Sequence, residues 1–424
     1  SLEFEGSELS STMGRLPVIV LVLLVARSAN VCGEKCYSGT PSVTAPPGRW
    51  VEVAEDDARE QDAILFYRQG KAARYTNCDQ FRPGRRSRRW VPSKAECQSV
   101  EWPAARGRAC RTVLSLPHPR MLFVGDSLME QHFVAFAALL GSVQATKPYT
   151  WPQSMLQEPR LQRADGKITD WDSASMVFHA CDGRVNLTYI RSDWLVAASG
   201  FHAPFMSPYP NSHDPMTGSC CRCANSFKAN NTFCFPWANV DLVRAQGAVI
   251  TNTGAHFRDD ERDYSETVDT SAEFLKAAVH PRAYVGFRAS TSGHTNCSSF
   301  STPFDSSEEA EAYINNFPFF NGNMFQRRNN IAKQIFQRHG FDFEDVYASS
   351  ALRREAHQEG PLKHDCLHWC LPGVPDHWAD VTIDHLEAHI RRHPGGGGAK
   401  LSRRHPPRRS AANTKEKQMV HRSN

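Results

Sequence analysis

The chain lacks a long hydrophobic segment. The apolar run Pro17 to Ala26 is only ten residues, too short to cross a bilayer comfortably and the length of a secretory signal core. The body also lacks a basic surplus. The formal charge is +4, but residues 400–424 hold eight lysines and arginines against Glu416 alone, a surplus of seven, which leaves −3 for everything before them. A body of that sign offers no nucleic-acid footprint, so no nucleic-acid partner is expected. No internal repeat is visible, which sets aside repeat architectures. Position 1 lacks an initiator methionine; residues 1–12 are polar, and Met13 reads as the true start.

Cysteine, by contrast, is abundant. Thirteen cysteines in 424 residues are dense for a reducing compartment and ordinary for an oxidising one. The odd number leaves at least one thiol free or paired to another chain. Three acceptor sequons, beginning at Asn186, Asn230 and Asn296, point the same way. Arg15 precedes the apolar run, and Ala26 and Ser28 form an A-x-S cleavage pattern after it. The expected location is the secretory lumen, either Golgi and membrane-anchored through the N-terminal segment or secreted after its removal.

Composition shifts divide the chain into a leader (1–31), a Pro/Ser/Gly-rich linker (32–49), a Cys/Trp/Arg-rich subdomain of loops and short strands (50–119), a catalytic domain (120–392) and a disordered basic tail (393–424). Within 120–392 the pattern alternates. Strands are predicted at Met121–Val124, Val177–His179, Val185–Arg191, Ala248–Thr251, Tyr284–Arg288 and Phe343–Tyr347. Helices are predicted at Ser127–Leu140, Ser271–Val279, Met324–His339 and Val381–Ile390. Strands alternating with helices specify an α/β fold, a three-layer α/β/α sandwich around a mostly parallel central sheet.

Two motifs carry chemistry. Met121-Leu122-Phe123-Val124-Gly125-Asp126-Ser127 is a buried strand that delivers a serine at a helix start. There α/β folds bind ligands, and the helix N-terminus favours developing negative charge. An N-cap serine is the bland alternative. About 240 residues later, Asp365-Cys366-Leu367-His368 places a carboxylate and an imidazole three apart, sharing one face of a helical turn. A serine hydroxyl needs such a base, and the base an orienting carboxylate, to become a nucleophile. The alternatives there are a surface turn between disulfide-forming cysteines, or zinc held by Cys366, Cys370 and His364 or His368. The C-x3-C spacing and an oxidising compartment favour disulfides, so no metal and no other cofactor is expected.

Gly125-Asp126-Ser127-Leu128 together with Asp365-Cys366-Leu367-His368-Trp369-Cys370-Leu371-Pro372-Gly373 resembles the PC-esterase branch of the SGNH/GDSL hydrolases, and within it the trichome birefringence-like polysaccharide O-acetyltransferases. Supporting patches include residues 189–196, 250–256, 287–297 and 352–357, so the likeness covers about 65–390. The resemblance implies an SGNH-like sandwich in which Ser127 is the nucleophile, His368 the general base and Asp365 its orienter. Asn252 and the Ser127 backbone N–H would form the oxyanion hole. It implies an acetyl donor and a polysaccharide or glycan acceptor as partners. The expected activity is O-acetyl transfer through an acetyl-serine, with carbohydrate acetylesterase or a silent glycan-binding protein as alternatives. The chain departs from plant members at Leu128-Met129-Glu130-Gln131, where they carry an Arg and an Asn, and at Ala255-His256-Phe257. His179, His202, His256, His294 and His357 read as polar or structural histidines, with the pocket open to His256 or His294. Aromatics at 201–209 and 317–320 could stack on sugars or pack in the core.

Overall fold

The computed structural model describes residues 48–53, 57, 63, 65–67, 88–93, 102–144, 175–195, 197, 237–257, 261–314, 323–358 and 365–394. The expected leader and most of the expected linker lie outside the described residues. So do Asn230, the aromatics at 201–209 and 317–320, and the tail beyond 394.

In chain order the elements are β1 (Gly48–Glu52), β2 (Arg88–Pro92), α1 (Trp102–Leu114), β3 (Arg120–Gly125), α2 (Ser127–Leu139), β4 (Val143–Gln144), β5 (Ser175–Ala180) and β6 (Val185–Arg191). There follow α3 (Val240–Arg244), β7 (Ala248–Thr251), α4 (Glu261–Ala278), β8 (Tyr284–Arg288), α5 (Ser307–Ile314), α6 (Phe325–Arg338), β9 (Asp342–Glu344), α7 (Tyr347–Ala351) and α8 (Val374–Arg392). Seven strands form one sheet in the order β4-β5-β6-β3-β7-β8-β9. From β6 to β9 all neighbours are parallel, and β4 and β5 add an antiparallel edge. The strand order reverses between β3 and β7, so the crevice at their carboxyl ends is where such a sheet binds ligands.

Because a parallel strand covered on both faces buries alternate residues in two cores, β3 reads as one continuous apolar run. Met121 and Phe123 pack with Phe133 and Phe136 of α2 and Ile383 and Leu386 of α8. Leu122 and Val124 pack on the opposite face with Val268 and Leu275 of α4 and Ala332 and Phe336 of α6. The expected sandwich is therefore the observed one. Among the described residues, no helix is long and apolar enough to cross a membrane.

Four local expectations need correction. Residues 102–114, expected as loops and short strands, form helix α1. Its arginine-rich sequence hid the packing face, because Arg108 pairs with Asp384 and Glu387 of α8 at 2.5 and 2.7 Å. Helix α4 begins ten residues before Ser271, since its buried stripe of Tyr264, Thr267, Val268, Ser271 and Ala272 mixes hydroxyls with apolar residues and blurs the periodicity. Helix α8 begins seven residues before Val381, where the Asp376 carboxylate accepts from the Gly373 N–H at 2.6 Å, half of a capping box. The last strand stops at Glu344 rather than Tyr347; the Asp345 carboxylate accepts from the Tyr347 N–H at 3.4 Å and turns the chain into α7.

The β1–β2 pair is antiparallel and separate from the main sheet. It docks on the segment before the late motif: the Trp50 indole donates to Ser349 O at 2.8 Å, Arg88 pairs with Glu355 at 3.0 Å, and the Arg353 guanidinium lies 4.5 Å over Trp50.

Candidate active site

The first half of the site is made by the turn between β3 and α2. A Cβ on Gly125 would lie 2.5 Å from Asn252 O and 2.8 Å from Met129 Cβ, so only glycine lets β3, β7 and the first turn of α2 meet there. Asp126 is wholly buried. It sits in extended backbone as the helix N-cap, its carboxylate accepting from the Leu128 N–H at 2.9 Å. Capping is thus the work of Asp126, and Ser127, the first helical residue, has its hydroxyl turned elsewhere.

That hydroxyl lies 2.7 Å from His368 Nε2. The other ring nitrogen, Nδ1, lies 2.7 Å from Asp365 Oδ2 and 2.9 Å from Oδ1. Residues 241 apart are therefore joined in one hydrogen-bonded chain, Asp365 to His368 to Ser127. The late segment is not helical. The Asp365 Oδ1 accepts from the backbone N–H of His368 at 3.2 Å and of Leu367 at 3.4 Å, an Asx-type turn that presents the three-residue spacing as a helix would. Partial burial pushes the Asp365 carboxyl up. The His368 hydrogen bond, the His368 charge and the two backbone N–H groups outweigh it and hold the carboxyl below its ordinary value. The His368 side chain is 20% exposed and that of Asp365 32%, so the pair is reachable from solvent.

The turn is pinned from several sides. Cys366 is disulfide-bonded to Cys297, and Cys370 is also in a disulfide, which closes both thiols to metal ligation. A second bridge, Cys110–Cys181, ties α1 to the β5–β6 turn. Trp369, wholly buried, donates its indole N–H to Thr291 Oγ1 at 3.0 Å and stacks on His357 at 3.9 Å between ring centroids. His357 Nε2 meets His294 Nδ1 at 2.5 Å, and His294 Nε2 meets Ala351 O at 2.8 Å. A carbonyl only accepts, so His294 carries a proton on Nε2, and by the same rule His357 carries one on Nδ1, which faces His368 O at 3.2 Å. Burial pushes His294 down to about 4, keeping it neutral. His294 is thus a buried support rather than a pocket residue. His256 is nearer the surface, its Nε2 3.8 Å from Asp193 Oδ2.

Asn252, at the end of β7, is wholly buried. Its two amide hydrogens go to Arg288 O and Ser290 Oγ, both at 2.9 Å. The expected side-chain contact to an oxyanion would require one of these bonds to be given up. The Ser127 N–H, at the first position of α2, belongs instead to the group of helix N–H donors that have no intrahelical partner. On the β6 side, Gly125 is in register with Arg191. The Arg191 guanidinium donates to Asp193 at 2.8 Å, and the Thr253 hydroxyl donates to Asp193 O at 2.8 Å. Arg191, Asp193, Trp194 and His256 therefore gather at the carboxyl edge beside the serine turn.

Sequence reading missed Gln131, Thr291 and the partnership of His294 with His357. The one available signal was Gln131 itself, noted only as a departure from plant members. The profile of the family described as "PC-Esterase: GDSL/SGNH-like Acyl-Esterase family found in Pmr5 and Cas1p" matches residues 113–385. The chain is 25% identical over 401 residues to Xylan O-acetyltransferase 7 of Oryza sativa subsp. japonica, covering 81% of this chain and 59% of that protein. It is 25% identical over 298 residues to Xylan O-acetyltransferase 2 of the same plant, covering 61% and 54%. A shorter match, 43% over 56 residues, is to Protein trichome birefringence-like 15 of Arabidopsis thaliana, covering 10% and 12%. The chain spans a little over half the length of the two rice relatives it matches.

Proposed function

Because the chain belongs to the PC-esterase family of GDSL/SGNH-like acyl-esterases, we propose that it is a carbohydrate O-acetyltransferase acting on a polysaccharide or glycan hydroxyl. The observation that carries this reading is the Asp365–His368–Ser127 chain, with 2.7 Å at both links. Ser127 Oγ attacks the carbonyl carbon of the acetyl donor while His368 Nε2 takes its proton. Asp365 holds the proton on Nδ1 and stabilises the imidazolium. The oxyanion forms beside the Ser127 N–H at the positive end of α2. Collapse expels the donor's leaving group, which takes the proton back from His368, and leaves an acetyl-serine. A sugar hydroxyl then gives its proton to His368 and attacks the same carbonyl, and collapse breaks the Ser127 Oγ–acyl bond as His368 returns that proton to Oγ, releasing the acetylated sugar and free Ser127. The names of the rice relatives make a xylan oligosaccharide the first acceptor to try.

The exposure of Asp365 and His368 favours one second reading, a carbohydrate acetylesterase in which water takes the place of the sugar. Incubation with a chromogenic acetyl ester, with and without oligosaccharides, separates the two. Acetylated oligosaccharide by mass spectrometry supports transfer, free acetate alone supports the esterase, and inertness toward both removes the acyl-serine reading. A secretory-lumen location is proposed on the two resolved disulfides and on the sequons at Asn186 and Asn296, neither of which is buried.

A further inference from the structure

Trp369 follows His368 directly, and its backbone has two edges. On one edge residues 356–358 run antiparallel to it: Gln358 N–H donates to His368 O at 2.7 Å and Cys370 N–H to Ala356 O at 2.9 Å. In such a ladder the N–H and C=O of the intervening residue point the other way and need another partner. In this protein that partner is a side chain. Gln131 Nε2 donates to Trp369 O at 2.5 Å, and Trp369 N–H donates to Gln131 Oε1 at 3.0 Å. The carboxamide has one donor and one acceptor at the spacing of a peptide group, so it completes the ladder as a missing strand would. Both residues are wholly buried.

Gln131 lies four positions after Ser127 on α2, one turn along the same face of the helix. A single side chain therefore joins the helix that carries the serine to the strand segment that carries the imidazole. We propose that Gln131 is a positioning residue that sets the approach of His368 Nε2 to Ser127 Oγ. This rests on the acyl-serine reading of the site and adds to it a determinant outside the three groups of the chain. Glutamine suits the task because its amide presents donor and acceptor together without charge.

Two variants test it, alongside Ser127→Ala as control. Gln131→Met keeps the unbranched shape and removes both hydrogen bonds. Since misplacing a catalytic group by about 1 Å can cost on the order of 10²-fold, kcat for a chromogenic acetyl ester should fall by roughly that factor with KM little changed. Gln131→Glu is the conservative rescue. A protonated carboxyl donates and accepts as the amide does, whereas an ionised one has no donor and faces Trp369 O. Burial raises the pKa of such a carboxyl, so this variant should be active at low pH and lose kcat as pH rises, a limb absent from the parent protein while melting curves show it folded throughout. A purely structural glutamine would move the melting temperature without adding that limb. A folded Gln131→Met protein with parental kcat overturns the proposal. If Gln131→Met does not fold, a Gln131→Glu pH profile that superimposes on the parent's overturns it instead. Where Ser127→Ala abolishes turnover and the Gln131 variants do not, only the clamp fails; where Ser127→Ala retains turnover, the acyl-serine reading falls and the clamp with it.

Discussion

The Asp365→Asn substitution separates a catalytic carboxylate from a turn-forming one. Asp365 Oδ1 receives two backbone N–H groups, those of Leu367 and His368, while Oδ2 faces His368 Nδ1 at 2.7 Å. An asparagine in the same place keeps its oxygen in the turn, because only oxygen can accept those N–H groups. Its NH2 then replaces Oδ2 and can only donate to Nδ1. That selects the imidazole tautomer protonated on Nε2, the atom that faces Ser127 Oγ, and a protonated nitrogen cannot take the serine proton. Flipping the amide corrects the tautomer but sets NH2 against two backbone donors. Either way the imidazolium loses a full negative charge at hydrogen-bond distance. In a serine triad such a change costs on the order of 10⁴ in rate, or about 5 kcal/mol of barrier. The turn itself survives, since Asn serves Asx turns about as well as Asp, and stability should change by less than about 1 kcal/mol. The assay is initial rate on a chromogenic acetyl ester, with a melting curve on the same preparation. A variant that melts normally and turns over near the parental rate would refute the argument and take Asp365 out of the site.

Three other outcomes are expected. Asn252→Ala leaves the Arg288 carbonyl short of a partner in a buried place, costing about 1–3 kcal/mol of stability; kcat should change little, and a fall of the ~10²–10³-fold seen on loss of an oxyanion donor would restore Asn252 to that role. Mild reduction should lower turnover before the tertiary near-UV signal is lost, because Cys366 neighbours Asp365 and local elements open below the global free energy; parallel loss of both would reject this. Burial pushes Glu344, which accepts from Thr382 and Tyr284, up to about 7. With a folded pKa above its unfolded value, its stabilisation is complete below about 4.5 and is lost as pH rises through about 7, on the order of 3 kcal/mol in all. Glu344→Gln should flatten that part of the stability profile in melts from pH 5 to 8, and an unchanged slope would remove Glu344 as its cause.

The residues that meet at the candidate site were legible because its parts are short and local. Ala248–Thr251 and Tyr284–Arg288 are strands with the bounds their apolar runs suggest, and the β3–α2 turn announces itself as a run of apolar residues ending in glycine, a cap and a serine. What the sequence hid are contacts between distant positions. Arg108 reads as solvent-facing until Asp384 and Glu387 are known to lie across from it. Asn252 was placed at the right strand end, but the direction of its amide depends on Ser290, 38 residues on. Gln131 is unremarkable on a helix until Trp369, 238 residues later, shows an open backbone edge. Local pattern encodes which groups arrive at the crevice; long-range pairing decides how they are aimed.

On the proposed acyl-transfer route, the fate of the acyl-serine follows from that aiming. His368 and Asp365 are open enough for water to enter, so burial of the reacting pair does not exclude hydrolysis. For the proposed transfer to win, a sugar hydroxyl must be held in place, since well-oriented neighbouring groups reach effective molarities of about 10⁵–10⁸ M. The holding surface has to lie beside the serine turn without covering it. Arg191, Trp194 and His256 are the proposed candidates: they come from the ends of β6 and β7 and are each partly exposed, and Arg191 and His256 are both held by the buried Asp193. Aromatic faces with paired polar groups suit sugar rings, whose C–H faces are apolar and whose edges are hydroxyls. On the proposed route, acetate release and sugar acetylation compete for a single intermediate at Ser127, and a bound acceptor tilts that competition toward transfer.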